Sequence, residues 1–529
     1  MNTQYSNSLQ AVKTLASLKP IRSISNLLKE EDRLERFALS TSGLYLDLSR
    51  TPVNRDDWSS LLALARSADL ERKRDAMFEG QVMNPTEGRR VWHSLLRASA
   101  PPSKEVNGRQ EISSEAAEAF KEVQETLQRM RTFCEQFHKE GKITDIVHVG
   151  IGGSYLGPEL IYQALRKQTQ TATDGKALQV HFVANVDPYA WDRLASNLDP
   201  STTLVILASK SWTTPETTLN SQTLRQWFEK SGLSSEEISK HWVAVTAKPE
   251  LAQKTGVHSE QIFPFADWVG GRFSVWSAIG LPIMLACGTK AFDDLLAGAR
   301  AMDEHFRDAP LERNAPVMMA LLCLWHQLHL GSQSEAVIPY SQRLARLPAF
   351  LQQLQMESNG KRVDLKGHPI QLPSAPVVWG EPGTDSQHSF FQALHHSPQA
   401  QAIDFVLVRE HLGDPRSLFL QANALAQIEA LSLGHPSDDP HRHYPGNRPC
   451  LVIVLERLDA KCLGALLALY EHKTAALGWI LNINSFDQFG VELGKGIAKQ
   501  FEPLLQNTEL TLPESLNRST QSLVQKLRI

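Results

Sequence analysis

Cysteine is scarce in this chain: five residues among 529, at Cys134, Cys287, Cys323, Cys450 and Cys462, with no Cys-x-x-Cys pair. That scatter argues against a disulfide framework and reads as buried thiols in a reducing compartment. Long apolar runs are also missing. No stretch approaches about 20 residues without a charge or a turn residue, so no membrane span is expected. The opening MNTQYSNSLQ lacks the basic start and apolar run of a signal peptide, and a cytoplasmic location is expected. Nor is there an excess of basic charge. With 54 Lys and Arg against 58 Asp and Glu, the net charge is -4, which excludes a general nucleic-acid binder while allowing a local basic pocket. What remains is a globular composition, 42% hydrophobic and 21% charged, in a chain long enough for two or three domains.

The first hundred residues read as mostly helical, with patches at LLKEEDRLERFAL, WSSLLALARSADLERKRDAMF and TEGRRVWHSLLRA, and Pro101-Pro102 makes a break. A long amphipathic helix is predicted from about Ser113 to His138 by its 3.6-residue apolar spacing. Short Val- and Ile-rich runs follow at Ile146-Val149, Val180-Val183, Leu204-Ala208 and Trp242-Thr246, each separated by helix-like sequence. That is the pattern of parallel strands covered on both faces by crossover helices. After helical sequence at Leu281-Arg300 and Leu311-Leu330, a second series appears at Val377-Trp379, Ala402-Leu407 and Cys450-Leu455. Two α/β units are expected, with a boundary near residue 290.

Two turns at strand ends suit an anion. After HVGI, Gly152-Gly153-Ser154 could turn backbone N–H groups toward a phosphate, or be an ordinary tight turn; it has neither dinucleotide nor P-loop spacing. After LVILA, the run Ser209-Lys210-Ser211-Trp212-Thr213-Thr214-Pro215-Glu216 places four hydroxyls and an ammonium at a strand's carboxyl end, where open α/β sheets bind ligands. A helix cap would need only one or two hydroxyls, so the cluster favours a phosphorylated metabolite held by charge-assisted bonds.

Other segments carry groups that could act on it. Arg272 follows Gly270-Gly271, and its planar charge suits an oxyanion, although a lone loop arginine is also a common salt-bridge residue. Gln353 and Glu357 lie four apart on one predicted helical face, with Asn359-Gly360 as the stop. Glu357 would then face the negative end of that helix, a setting suited to a general base or tolerable for a solvated side chain. His388, after Gly383-Thr384-Asp385-Ser386-Gln387, is predicted in the first turn of a helix, where the dipole favours an uncharged ring. His395 and His396 read as structural or surface residues. HPSDDPHRHY, with His435, His441 and His443, reads as an exposed loop in preference to a metal site. In NSFDQFGVELGKGIAKQ, Gln488 and Lys495 are seven apart and predicted on one helical face, among glycines spaced for a close backbone approach.

Taken in order, VGIGGSYLGP, SKSWTTPET, DWVGGRFSVWS, QMESNGK, GTDSQHSF and FDQFGVELGK resemble the glucose-6-phosphate isomerase family; MFEGQVMNPTEGRRVWH resembles its amino-terminal approach to the substrate domain. The resemblance runs from about Tyr45 to the last forty residues. It implies an α/β fold of two sugar-isomerase (SIS)-type parallel-sheet sandwich domains with a helical N-terminal arm and a C-terminal tail. The corresponding spans are 1–110 for the arm, 111–290 and 291–510 for the smaller and larger domains, and 511–529 for the tail.

The resemblance further implies a reversible aldose–ketose isomerisation of glucose 6-phosphate and fructose 6-phosphate, with no cofactor and no metal. A homodimer would share its active sites between subunits. Glu357 would be the base, His388 would open the ring with Glu216 orienting it, Lys495 would meet the ring oxygen region, and Arg272 would stabilise a cis-enediolate. Ser209, Lys210, Ser211 and Thr214 would hold the phosphate with Gly153 and Ser154, while Gln353 and Gln488 complete the surface. Departures from the family pattern are Asp385-Ser386 where Asn-Gly is usual, Pro215 before Glu216, and a loose match at Tyr45-Ser49. The alternatives on the same scaffold are a non-catalytic phosphosugar sensor and an isomerase that also takes mannose 6-phosphate.

Overall fold

The computed structural model describes residues 3–18, 20–106, 109–166, 177–370 and 372–528. Two sheets organise it. The first has five parallel strands in the order Ile262–Pro264, Trp242–Thr246, Thr203–Ala208, Asp145–Val149 and Gln179–Val183. Its middle strand Thr203–Ala208 is buried at all six positions, as expected of a strand covered on both faces. The four predicted runs of this half are all strands, and Ile262–Pro264 is an added short edge.

The second sheet has six strands in the order Ala38–Thr41, Leu44–Arg50, Cys450–Leu455, Ala402–Val408, Ser334–Pro339 and Val377–Trp379. The last four are mutually parallel. The first two form an antiparallel hairpin, and Leu44–Arg50 runs antiparallel to Cys450–Leu455. The first hundred residues therefore carry more than helices. Besides Thr3–Ala16, Arg55–Ser67 and Leu70–Phe78, they supply two strands to a sheet whose other members begin almost 300 residues later. Leu44, Leu46 and Leu48 are at most 1% exposed while Tyr45 is 41% exposed, the period-two pattern of a half-buried strand.

The helix predicted near Ser113 spans Ser114–Glu140. The Ser113 hydroxyl accepts from the Ala116 N–H, and Gly141 at φ +62° ends it. The stretch read as one helix from Leu281 is two, Leu281–Cys287 and Thr289–Asp308, broken at Gly288 with φ +90°. At the centre lies Ala460–Ile480, buried along its length except at Lys461, as a helix surrounded by protein must be. It crosses Thr289–Asp308 so closely that a Cβ on Gly298 would lie 1.8 Å from the Lys461 carbonyl oxygen, and one on Gly464 would lie 2.1 Å from that of Leu295.

Both sheets belong to one compact unit that ends at Ser485. The remaining residues form a smaller unit built on helices Glu492–Gln506 and Arg518–Leu527, within which the Arg528 guanidinium donates to the carbonyls of Leu504 (2.8 Å) and Leu510 (2.6 Å).

Candidate active site

Strands Asp145–Val149 and Thr203–Ala208 are parallel neighbours, so the turns that follow them leave the sheet on the same edge. Gly152–Ser154 is a single 3₁₀ turn. Gly152 has φ +60°, and a Cβ there would meet the Gln353 side-chain nitrogen at 2.9 Å. A Cβ on Gly153 would lie 1.9 Å from the Gly271 carbonyl oxygen. The paired glycines are thus required because two other candidate segments press against this turn. Beneath it, His148 bonds the Ser154 carbonyl through Nε2 at 2.7 Å, and burial pushes this ring down to about 4, so it stays uncharged.

The run after Thr203–Ala208 is tied to the same neighbours. The Lys210 ammonium donates to the carbonyl oxygens of Asp267 (2.6 Å) and Val269 (2.9 Å), joining the hydroxyl-rich turn to the Gly270-Gly271-Arg272 turn. Burial, with a smaller contribution from the Arg89 charge, lowers Lys210 to about 8. The Ser209 and Thr214 hydroxyls lie 3.1 Å apart, and the Thr213 hydroxyl donates to that of Ser211 at 2.9 Å. Thr214 occupies the N-cap position of helix Pro215–Glu229 but makes no side-chain cap bond. Its hydroxyl is therefore not spent on helix closure. Glu216 stands in the first turn, with Oε2 buried and unpartnered among the described residues.

Arg272 is 4% exposed and firmly held. Its Nε donates to the Ser358 hydroxyl at 2.6 Å, one terminal nitrogen donates to the Ser485 carbonyl at 2.6 Å, and the other stands 3.5 Å from Glu357 Oε2. That same carboxylate oxygen accepts from the Gln353 amide at 3.0 Å. Gln353 and Glu357 do face one way as predicted, but on a π-helical segment, Gln352–Glu357, a form concentrated at functional sites. The Lys361 ammonium donates to the Glu357 main-chain carbonyl at 3.1 Å, closing the helix end. Glu357 keeps 20% of its side chain exposed, open to a reactant.

Three expectations about local structure are corrected. His388 is the last residue of the 3₁₀ turn Asp385–His388, not the first turn of an α-helix; that helix begins at Phe391, so the dipole argument does not apply to it. Its ring is exposed, while neighbouring Gln387 donates to the Tyr340 hydroxyl at 2.7 Å. Gln488 has φ -150° and precedes the helix carrying Lys495, so the seven-residue spacing does not put the two on one helical face. Among the described residues a Cβ on Gly490, Gly494 or Gly496 would meet nothing within 4 Å, so the spacing of these glycines does not serve close approach by a described segment of this chain. Gln488 and Lys495 belong to the smaller carboxy-terminal unit.

Arg272 and Gln353 thus both meet Glu357, and Gly152 and Gly153 adjoin Gln353 and Gly271. Lys210 is tied to the loop before Arg272 through the Asp267 and Val269 carbonyls, and Ser209, Ser211 and Thr214 stand on the same turn as Lys210. Sequence reasoning missed Ser358 and the Ser485 carbonyl, which hold Arg272 in place, and Lys361. Ser358 adjoins Glu357 in MESNGK, but nothing in its type or spacing points to an arginine 86 residues earlier.

A parallel α/β scaffold that gathers an acid, a guanidinium and glycine and hydroxyl turns at strand ends has the architecture of sugar-isomerase-type proteins. A family profile described as phosphoglucose isomerase matches residues 47–524. A glucose-6-phosphate isomerase from Polaromonas naphthalenivorans is 44% identical over 502 residues, covering 94% of each chain. The crystal structure of a glucose-6-phosphate isomerase from Chlamydia trachomatis superposes with a TM-score of 0.87 at 33% identity, covering 98% of each chain. A hypothetical protein from Thermus thermophilus gives 0.66 at 26% identity over 86% of this chain and 99% of its own. The chain belongs to the phosphoglucose isomerase family.

Proposed function

We propose that this protein interconverts D-glucose 6-phosphate and D-fructose 6-phosphate through ring opening and a cis-enediolate. The observation that carries the mechanism is the Glu357 carboxylate, oriented by Gln353 and flanked by the buried Arg272 guanidinium 3.5 Å away. Ser209, Lys210, Ser211 and Thr214, with Gly153 and Ser154, hold the phosphate; two of the three Lys210 donors go to main-chain carbonyls and one is left for the ligand. Anchoring that end fixes the sugar so that carbon 2 lies within reach of the base. His388, oriented by Glu216, opens the ring, and Lys495 receives the developing charge at the ring oxygen. Glu357 then takes the proton from carbon 2 and returns it to carbon 1, while the hydroxyl proton moves from oxygen 2 to oxygen 1. The carbons exchange oxidation state and nothing external is consumed. Arg272 offsets the negative charge of the intermediate, and Gln488 completes the binding surface.

The assembly reading is a homodimer in which His388 serves the neighbouring subunit's site. Its exposed ring, without a hydrogen bond among the described residues, supports this. The domain spans 1–110, 111–290, 291–510 and 511–529, as SIS-type sandwiches with an arm and tail, belong to the same proposal. No helix among the described residues is long and apolar enough to cross a membrane, and a cytoplasmic location accords with buried free thiols. The test is a coupled assay of the purified chain with fructose 6-phosphate and a chelator present. Glucose 6-phosphate should appear at enzymatic rates; binding without turnover would leave only a phosphosugar sensor.

A further inference from the structure

Arg272 donates to groups from two segments far apart in the chain, the Ser358 hydroxyl and the Ser485 carbonyl, each at 2.6 Å. Asn359, the neighbour of Ser358, joins those segments. Its Oδ1 accepts from the Ser485 hydroxyl at 2.6 Å, and its Nδ2 donates to the Thr474 carbonyl at 2.9 Å. The partners dictate which way the amide points. A main-chain carbonyl can only accept, so Nδ2 must face Thr474, and Oδ1 is left for Ser485. Ser358, Asn359, Thr474 and Ser485 are all at most 1% exposed, so solvent does not compete for these bonds.

Asn359 is more than the helix stop that Asn-Gly suggests, because its backbone is not in the left-handed conformation for which a stop selects asparagine. Ser485 lies in neither helix nor strand, so no ladder aims its carbonyl at Arg272. The bond from its hydroxyl to Asn359 supplies that constraint. Gly478 of helix Ala460–Ile480 keeps room for the clasp: a Cβ there would lie 1.8 Å from the Ser485 hydroxyl and 2.9 Å from Asn359 Oδ1. We propose that Asn359 is a positioning residue that, through Ser485, sets the Arg272 guanidinium against the charge of the enediolate. Three consecutive residues then share one task, Glu357 as the base and Ser358 and Asn359 as the supports of the cation beside it. The inference rests on the isomerase reading above. A group that meets only developing charge lowers kcat when misplaced and leaves ground-state binding, carried by the phosphate turn, nearly unchanged.

Asn359→Ala should lower kcat for fructose 6-phosphate about ten- to hundredfold with KM within about threefold. Ser485→Ala keeps the carbonyl that Arg272 uses and should lower kcat less. The double variant should be no slower than Asn359→Ala, since the Ser485 hydroxyl acts only through Asn359. Binding supplies a readout that loosened packing does not move. Arabinonate 5-phosphate is an open-chain acid whose planar carboxylate carries the charge of the enediolate. Its affinity, titrated calorimetrically, should fall about tenfold in Asn359→Ala, while arabinitol 5-phosphate, which lacks that charge, should bind as it does to the unaltered chain. If Asn359→Ala does not fold, the same pair of ligands on Ser485→Ala decides, with only the acid weakened. Unchanged kcat in Asn359→Ala, multiplying effects in the double variant, or equal losses for acid and alditol overturn the proposal. Selective loss of the acid in a chain that turns over no sugar would uphold the positioning of Arg272 and remove the isomerase reading alone.

Discussion

Glu357 and Lys210 divide the proposed work between chemistry and anchoring, and each has a separable signature. A base that moves a proton between carbons contributes to kcat, whereas Gln at the same position keeps the shape and the Gln353 neighbourhood. Glu357→Gln is expected to lower kcat by about 10²–10⁴-fold while leaving KM within a few-fold, measured by the coupled assay. Lys210 loses its charge as pH rises through about 8, because burial has lowered it from the usual lysine range. kcat/KM for fructose 6-phosphate should therefore fall above about pH 8, and Lys210→Met should abolish that limb along with most affinity. For folding, the sign is opposite to that of a stabilised lysine. A depressed ammonium disfavours the native state at low pH, and this penalty fades as pH rises from about 8 toward the unfolded value.

Helix Ala460–Ile480 carries three consecutive charged or titratable residues, Glu471, His472 and Lys473, all at most 1% exposed. They survive burial because each meets a partner from another element. Arg97 bonds Glu471 at 2.7 Å and Asp303 at 2.6 Å, His472 bonds Asp303 at 2.6 Å, and Lys473 contacts Glu335 and stands 3.6 Å from Asp404. Burial opposes the charge on Lys473, but the two carboxylates overcome it and raise its proton affinity. Lys473→Met strands Glu335 beside Asp404 and should cost about 3–5 kcal/mol in urea unfolding. The helix crossing has its own requirement. Gly464→Ala drives a methyl into the Leu295 carbonyl and should destabilise by about 1–3 kcal/mol, read as a lower thermal midpoint.

At the scale of the molecule, the shared-site proposal makes a prediction that one-chain sites cannot meet. Two inactive chains, Glu357→Gln and His388→Ala, are mixed, unfolded and refolded together. Random pairing makes half the dimers mixed, and each mixed dimer has one site with both native groups, so about a quarter of wild-type activity should return. If Glu357 and His388 of a site came from the same chain, every site in the mixture would lack one group and no activity would return.

Local pattern was enough for the strands of both parallel series named from Val and Ile runs, for the long helix from about Ser113 to His138, and for the pairing of Gln353 with Glu357. These depend on neighbours within one turn or one strand. Ser334–Pro339 escaped notice because it begins with a polar pair and buries Glu335, which is tolerable only beside Lys473, 138 residues away. The Leu44–Arg50 hairpin was missed for the same kind of reason, since its place in a sheet is set by Cys450–Leu455. The turn chemistry of Gly152-Gly153 and Lys210 was visible as composition. That the glycines admit Gly271 and Gln353, and that the lysine first grips two carbonyl oxygens, was decided by packing. Sequence by itself determined which groups the chain possesses and which short segments form; tertiary structure decided which groups meet, because a contact between distant segments has no local energy to leave a mark.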